Sequence, residues 1–167
     1  MNSEHSIPAI LDVEASGFGV GSYPIEVGVV LPEGSLYCSL ICPEDEWQHW
    51  DEKAECLHHL KRELLLKHGK SVREVAAQLN DMLEGQTVYS DAWGNDMGWL
   101  SLLFHHAEMS QRFTLDSLHG LLSLEQQQMW DRTRQQIMDE SALSRHRASA
   151  DARILQMTYI QTLQAKE

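Results

Sequence analysis

Three stretches, far apart in a chain of 167 residues, carry side chains able to do chemistry. They are Asp12 and Glu14 in Ile10-Leu11-Asp12-Val13-Glu14, Asp96 in Asp96-Met97-Gly98-Trp99-Leu100, and His146 with Asp151 in His146-Arg147-Ala148-Ser149-Ala150-Asp151. Each of these carboxylates stands where the surrounding pattern calls for an apolar residue. A buried carboxylate is costly unless it is compensated, so a set of them implies positive charge between them. Clustered oxygen ligands select hard cations, Mg²⁺ or Mn²⁺. A pair of such ions points to phosphodiester hydrolysis.

The elements that must position these groups can be read from periodicity. Residues 7–13, 25–31 and 35–41 read as strands, the last two joined by the turn Pro32-Glu33-Gly34, and together they form an antiparallel meander. Asp12 and Glu14, two apart on a strand, leave the same face together with Ile10. Val72, Val75, Ala76, Leu79, Met82 and Leu83 recur at three and four residues and predict an amphipathic helix. Residues 44–70 are polar, with short helical pieces, one of them closed by Gly69. Short strands are expected at 86–90 and 112–115, and helices at 95–107, 123–139 and 146–163. The expected fold is α/β, a single domain over 1–167 in which a mixed sheet is covered by helices.

On the helix from 95, Asp96 shares a face with Trp99, Leu100, Leu103 and Ala107; on the last helix, Asp151 shares one with Ala148, Ala152 and Leu155. Both acids therefore lie on the stripe that packs against the sheet. A capping role would suit either alone, since acids favour the first helical turn, but one metal site accounts for all four carboxylates. His146 is five residues before Asp151, about 140° round a helix. The two converge only if His146 sits at the loop–helix junction, a place suited to a general base.

Composition bounds the partners. The net charge of −12 argues against a protein that grips long nucleic acids electrostatically. It leaves room for a nuclease that makes short contact through metals and local basic residues. Cys38, Cys42 and Cys56 are odd in number, lack a CxxC pattern and match no structural-zinc spacing. They read as small core or strand residues in a reducing compartment. The N-terminus lacks a basic region followed by an apolar stretch, and no apolar run approaches the ~20 residues of a membrane span. The expectation is a cytoplasmic protein with no membrane partner.

Taken together, the three segments resemble the DEDDh family of 3′–5′ exonucleases, which includes ribonuclease T, oligoribonuclease and the proofreading subunits of bacterial DNA polymerases. Asp12-Val13-Glu14 matches the family's first motif, followed by Gly17-Phe18 and by Pro24-Ile25-Glu26-Val27-Gly28, which looks like its second strand. Asp96 with Trp99-Leu100 matches the second motif, and His146 with Asp151 matches the third, His-x4-Asp. The resemblance spans nearly the whole chain. Two departures stand out: Ala15 replaces the usual Thr, and Ser90-Asp91-Ala92-Trp93-Gly94-Asn95 replaces the Asn-containing sequence before the second Asp. The second leaves Asp91 as an alternative to Asp96, although the Trp99-Leu100 register favours Asp96.

The resemblance implies a ribonuclease-H-like mixed sheet, an antiparallel three-strand meander plus parallel strands, flanked by helices. It implies two Mg²⁺ or Mn²⁺ ions held by Asp12, Glu14, Asp96 and Asp151, with His146 as general base, acting on single-stranded RNA or DNA at its 3′ end. Phe18 is placed to meet the terminal bases, with Trp99, Tyr23 and Trp93 as further stacking candidates. Arg147, with Arg145 and Arg153, lies near the third motif where a phosphate would arrive, while Lys61, Arg62, Lys67, Lys70 and Arg73 form a more distant basic set. Homodimers within the family make Trp47, Trp50 and Trp130 candidates for an interface. A nucleic-acid-binding or assembly module, or another metal-dependent phosphoesterase, are the alternatives on the same fold.

Overall fold

The computed structural model describes residues 6–141 and 146–164. In chain order the elements are β1 (Ala9–Ala15), β2 (Pro24–Val30), β3 (Leu36–Leu40), α1 (Glu52–His58), α2 (Arg62–His68), α3 (Val72–Leu83), β4 (Thr87–Ser90), α4 (Trp93–His106), β5 (Thr114–Ser117), a 3-10 turn (Leu118–Leu121), α5 (Leu124–Glu140) and α6 (Ala148–Gln164). The sheet order is β3-β2-β1-β4-β5. β1, β2 and β3 form the antiparallel meander, and β4 and β5 add in parallel. The mixed sheet expected from the sequence is therefore present.

Two boundaries differ from the periodic reading for reasons of pairing. β1 starts and ends two residues later than expected, because its ladder to β2 continues through Glu14↔Glu26 to Ala15↔Pro24. β5 also lies further on, drawn into register by Thr87↔Thr114 and Ser90↔Ser117 of the parallel ladder.

Strand alternation separates two cores. Leu11, Val13, Ile25, Val27 and Val29 face one side and pack with Leu79 of α3 and Leu100 and Leu103 of α4. Ile10 and Val30 face the other, against Trp130 of α5 and Ala152, Leu155 and Tyr159 of α6. Each fully buried Leu, Ile or Val contributes about 1.5–3 kcal/mol. Capping boxes at Ser71/Glu74 and Ser123/Gln126 define where α3 and α5 begin, each worth about 1 kcal/mol.

Gly28 is the contact point that sets the position of α6. A Cβ there would lie 2.2 Å from the Ser149 nitrogen and 2.3 Å from the Ala148 carbonyl carbon. Only a residue without a side chain lets the first turn of α6 rest on β2.

Two expectations about side chains are corrected. Trp47 and Trp130 are buried, 5% and 4% exposed, because they complete the two cores, so neither is available as an interface aromatic. Cys38 and Cys56 are exposed rather than core residues, and Cys42 is half-buried. Cys38 does lie on a strand, β3, but at the sheet edge. No helix among the described residues is long and apolar enough to cross a membrane.

Candidate active site

The carboxyl ends of the parallel strands β1 and β4 meet the amino ends of α4 and α6, and the acidic residues gather there. In open α/β sheets this is where ligands bind. Asp12 and Glu14 come from β1, and Asp151 from the first turn of α6. One carboxylate oxygen from each of Asp12, Glu14 and Asp151 lies within 4.8 Å of the others. Asp96, in the first turn of α4, is 1% exposed and accepts a hydrogen bond from the Ser90 hydroxyl at the end of β4. Ser90 in turn accepts from the Ala92 amide at 3.1 Å, so the β4–α4 corner aims Asp96.

A cleft of about 370 Å³ opens over this cluster. Asp12, Glu14, Asp96 and His146 line it on one side, and Phe18, Leu57 and Trp99 give it an apolar wall. His146 stands two residues before α6 with φ 61°, and its amide donates to Asp151 Oδ1 at 3.3 Å. The left-handed turn is what lets a residue five before Asp151 reach the same cleft.

The electrostatics are those of carboxylates crowded together without a compensating positive charge among them. Burial, followed by the charges of Asp96, Glu14 and Asp151, holds Asp12 well above the usual carboxylate range. Burial and then Asp151 push Glu14 up to about 9. Asp151 is also raised by burial, although its hydrogen bond with Glu14 and the His146 amide oppose the shift. Asp96 is pushed up to about 7, again by burial, against the Ser90 hydrogen bond. Asp12 Oδ2 is buried with no hydrogen-bond partner. An all-carboxylate donor set with converging oxygens and an orphaned buried oxygen fits a hard divalent cation.

Of the residues singled out as substrate contacts, Phe18 and Trp99 lie together in the cleft, their rings 5.9 Å apart; Phe18 is 70% exposed. Tyr23 is in the core, stacked on Trp47, and the Trp93 indole is tied to the Leu115 carbonyl at 2.9 Å. Arg147 is placed otherwise than expected for a phosphate contact. Its Nε and Nη2 bind the Glu26 carboxylate, at distances down to 2.6 Å, and it is not among the residues lining the cleft. Arg62 is likewise committed, to Tyr23 and the Trp47 carbonyl, Arg153 donates to Gln156, and Arg145 lies outside the described residues. Of the two alternatives for the second motif, Asp96 lines the cleft, whereas Asp91 sits 3.4 Å from Arg134 Nη1.

Residues not singled out from the sequence also belong to this region. His58 is 2% exposed and lines the cleft; its Nδ1 accepts from the Leu60 amide at 3.0 Å, which puts the ring proton on Nε2. Glu26, fully buried in an otherwise apolar β2, holds Arg147 and the Ala148 amide. Glu26 had the signal that picked out the other acids, a carboxylate in an apolar strand. His58, in a polar stretch with other histidines, had none.

Comparison with known proteins agrees with this architecture. The structure superposes on an exonuclease I from Methylocaldum szegediense with a TM-score of 0.69 at 11% identity, covering 95% of this chain and 40% of that one. Escherichia coli exonuclease I in complex with a dA16 oligonucleotide gives 0.67 at 12% identity, covering 95% and 41%. The zinc-bound form of the E. coli exonuclease–ssDNA complex gives 0.62 at 11%, covering 95% and 41%. The fold is ribonuclease-H-like, that of these nucleases. The chain spans about two-fifths of their length. No protein-family model and no curated protein matches the chain at the level of sequence.

Proposed function

We propose that this chain is a 3′–5′ exonuclease that hydrolyses single-stranded nucleic acid from the 3′ end to nucleoside 5′-monophosphates. The observation that carries the reading is the convergence of Asp12, Glu14 and Asp151 within 4.8 Å in a cleft that Asp96 and His146 also line. The likeness in fold to nucleases crystallised with oligonucleotides supports it.

Two Mg²⁺ or Mn²⁺ ions would be held by Asp12, Glu14 and Asp151, with Asp96 completing the set. Such ions, when bound, lower the pKa of water and stabilise charge on phosphate oxygens. The chain's own residues supply the rest. His146 takes the proton of the attacking water, a role that typically contributes ~10²–10⁴-fold. Its backbone bond to Asp151 keeps base and ligand in fixed relation. Phe18 stacks on the terminal base, which contributes about 1–3 kcal/mol, while Trp99, buried at 9% exposure and tied to Ser22 by its indole N–H, backs the Phe18 ring rather than the base. Ser90 holds Asp96 in place through the hydroxyl bond.

The test is incubation with 3′-labelled and 5′-labelled oligonucleotides plus Mn²⁺, with and without EDTA. Stepwise shortening from the 3′ end, abolished by EDTA and restored by Mg²⁺ or Mn²⁺, is the expected result. Hydrolysis of mononucleotides alone would make the chain another phosphoesterase. Binding without cleavage would make it a nucleic-acid-binding module.

A further inference from the structure

Among the described residues, three buried side-chain atoms have no hydrogen-bond partner: Asp12 Oδ2, His58 Nε2 and Arg134 Nε. All three residues line the same cleft. Buried polar groups are nearly always paired, so orphans gathered in one cavity mark where a ligand supplies the partners. Asp12 Oδ2 is an acceptor and suits a cation. The other two are donors and need acceptors that no cation provides.

Arg134 belongs to α5, and among the described residues it is the one Arg or Lys that lines the cleft. It pairs with Asp91, through Nη1 at a long 3.4 Å, and its guanidinium charge reaches Asp151. Its buried Nε is thus an unmatched donor on a side chain that lines the same cleft as the acids. A planar guanidinium with Nε free matches the paired oxygens of a phosphate. The neutral, single N–H of His58, beside Leu57, suits an uncharged acceptor instead.

We propose that Arg134 is the phosphate-binding residue of this cleft, gripping non-bridging oxygens of the phosphate attached to the terminal nucleoside. The assignment rests on the nuclease reading of the cleft. It gives to α5 the contact that proximity to the third motif had given to Arg147, whose fork is occupied by Glu26.

The experiment is calorimetry of thymidine 5′-monophosphate and of thymidine binding to the wild-type chain, Arg134→Gln and Arg134→Lys, with Mn²⁺ and with EDTA. Mn²⁺ binding and thermal melting are measured on the same samples. The wild type should prefer the monophosphate, and Arg134→Gln should reduce that preference about tenfold or more. Arg134→Lys should recover only part of it, since an ammonium offers no fork. Mn²⁺ affinity should change little. If Arg134→Gln melts too low to study, the Lys variant carries the test.

An unchanged preference in both variants, or a wild type without one, would overturn the proposal. So would full recovery by Lys together with a loss of Mn²⁺ affinity in the Gln variant, which would make Arg134 a counter-ion of the acids. Phosphate preference that depends on Arg134 in a protein that cuts no oligonucleotide would sink the exonuclease reading and leave this one standing. Cleavage with no such dependence would do the reverse.

Discussion

Glu26 and Arg147, separated by 121 residues, form a bidentate pair, with Nε at 3.0 Å and Nη2 at 2.6 Å from Oε2. Oε1 of the same carboxylate takes the Ala148 amide at 2.7 Å, at the start of α6. Across the β1–β2 ladder Glu26 is the partner of Glu14. Two glutamates thus sit side by side, the buried Glu26 compensated by an arginine and a helix amino end, the half-buried Glu14 facing the cleft. The first clamps the residue after His146 to the sheet; the second converges with Asp12 and Asp151.

Breaking the clamp should cost stability and turnover together. Arg147→Ala leaves Glu26 buried and under-compensated. It should destabilise the fold by about 2–3 kcal/mol, less than the ~3–5 kcal/mol for a fully buried pair, because the Arg147 side chain is itself 41% exposed and partly screened by solvent. Urea denaturation measures this. A loss below about 0.5 kcal/mol, the level of an ordinary surface substitution, would show that Glu26 is compensated by other means.

Without metal, stability should fall as pH rises. Glu14, at about 9 folded against 4.5 as its ordinary value, and Asp96, at about 7 against 3.8, bind protons more tightly in the folded state. Between those limits the native state holds more protons than the unfolded one, so their contribution is complete below pH 4 and lost progressively toward pH 9. Thermal melts in EDTA at pH 5, 7 and 9 should show this decline, and Mn²⁺ should remove much of it at pH 7 and above. Asp12→Asn or Asp151→Asn, which relieves repulsion, should melt higher than the wild type in EDTA and lose activity by orders of magnitude. A wild type equally stable at all three pH values in EDTA would contradict the unpaired cluster.

His146→Ala should lower turnover by about 10²-fold or more, as expected for a lost general base, while Mn²⁺ affinity measured by calorimetry stays nearly unchanged. An equal loss of metal affinity would instead make His146 a ligand.

Substrate binding should depend weakly on salt. With a net charge of −12 and the Arg62, Arg147 and Arg153 side chains engaged within the protein, few phosphates can be neutralised. Each contributes about −0.7 to the slope of log affinity against log salt for a single strand. A total slope of about −1.4 to −2.1, two or three phosphates, is expected, with short oligonucleotides competing almost as well as long ones. A steeper slope would reveal a basic track elsewhere on the surface.

Residue spacing alone determined that Asp12 and Glu14 leave one face of a strand, because a strand repeats every two residues whatever surrounds it. It also determined that Asp96 and Asp151 fall on the inward stripes of their helices, and that His146 can reach the cluster only from outside α6. The three-strand meander and α3 were legible for the same reason: their periodicity is local. The partner of each polar group was not. Nothing in the sequence distinguishes the spatial surroundings of Arg147 from those of Arg134, yet Glu26 on β2 occupies the first while the second keeps a buried nitrogen unmatched in the cleft. Ser90 and His58 carry no periodic signal, and their roles depend on the end of β4 meeting the start of α4 and on the last residue of α1 reaching the cleft. Those contacts join residues distant in the chain, and only packing of the whole sheet between its helices brings them within hydrogen-bond range.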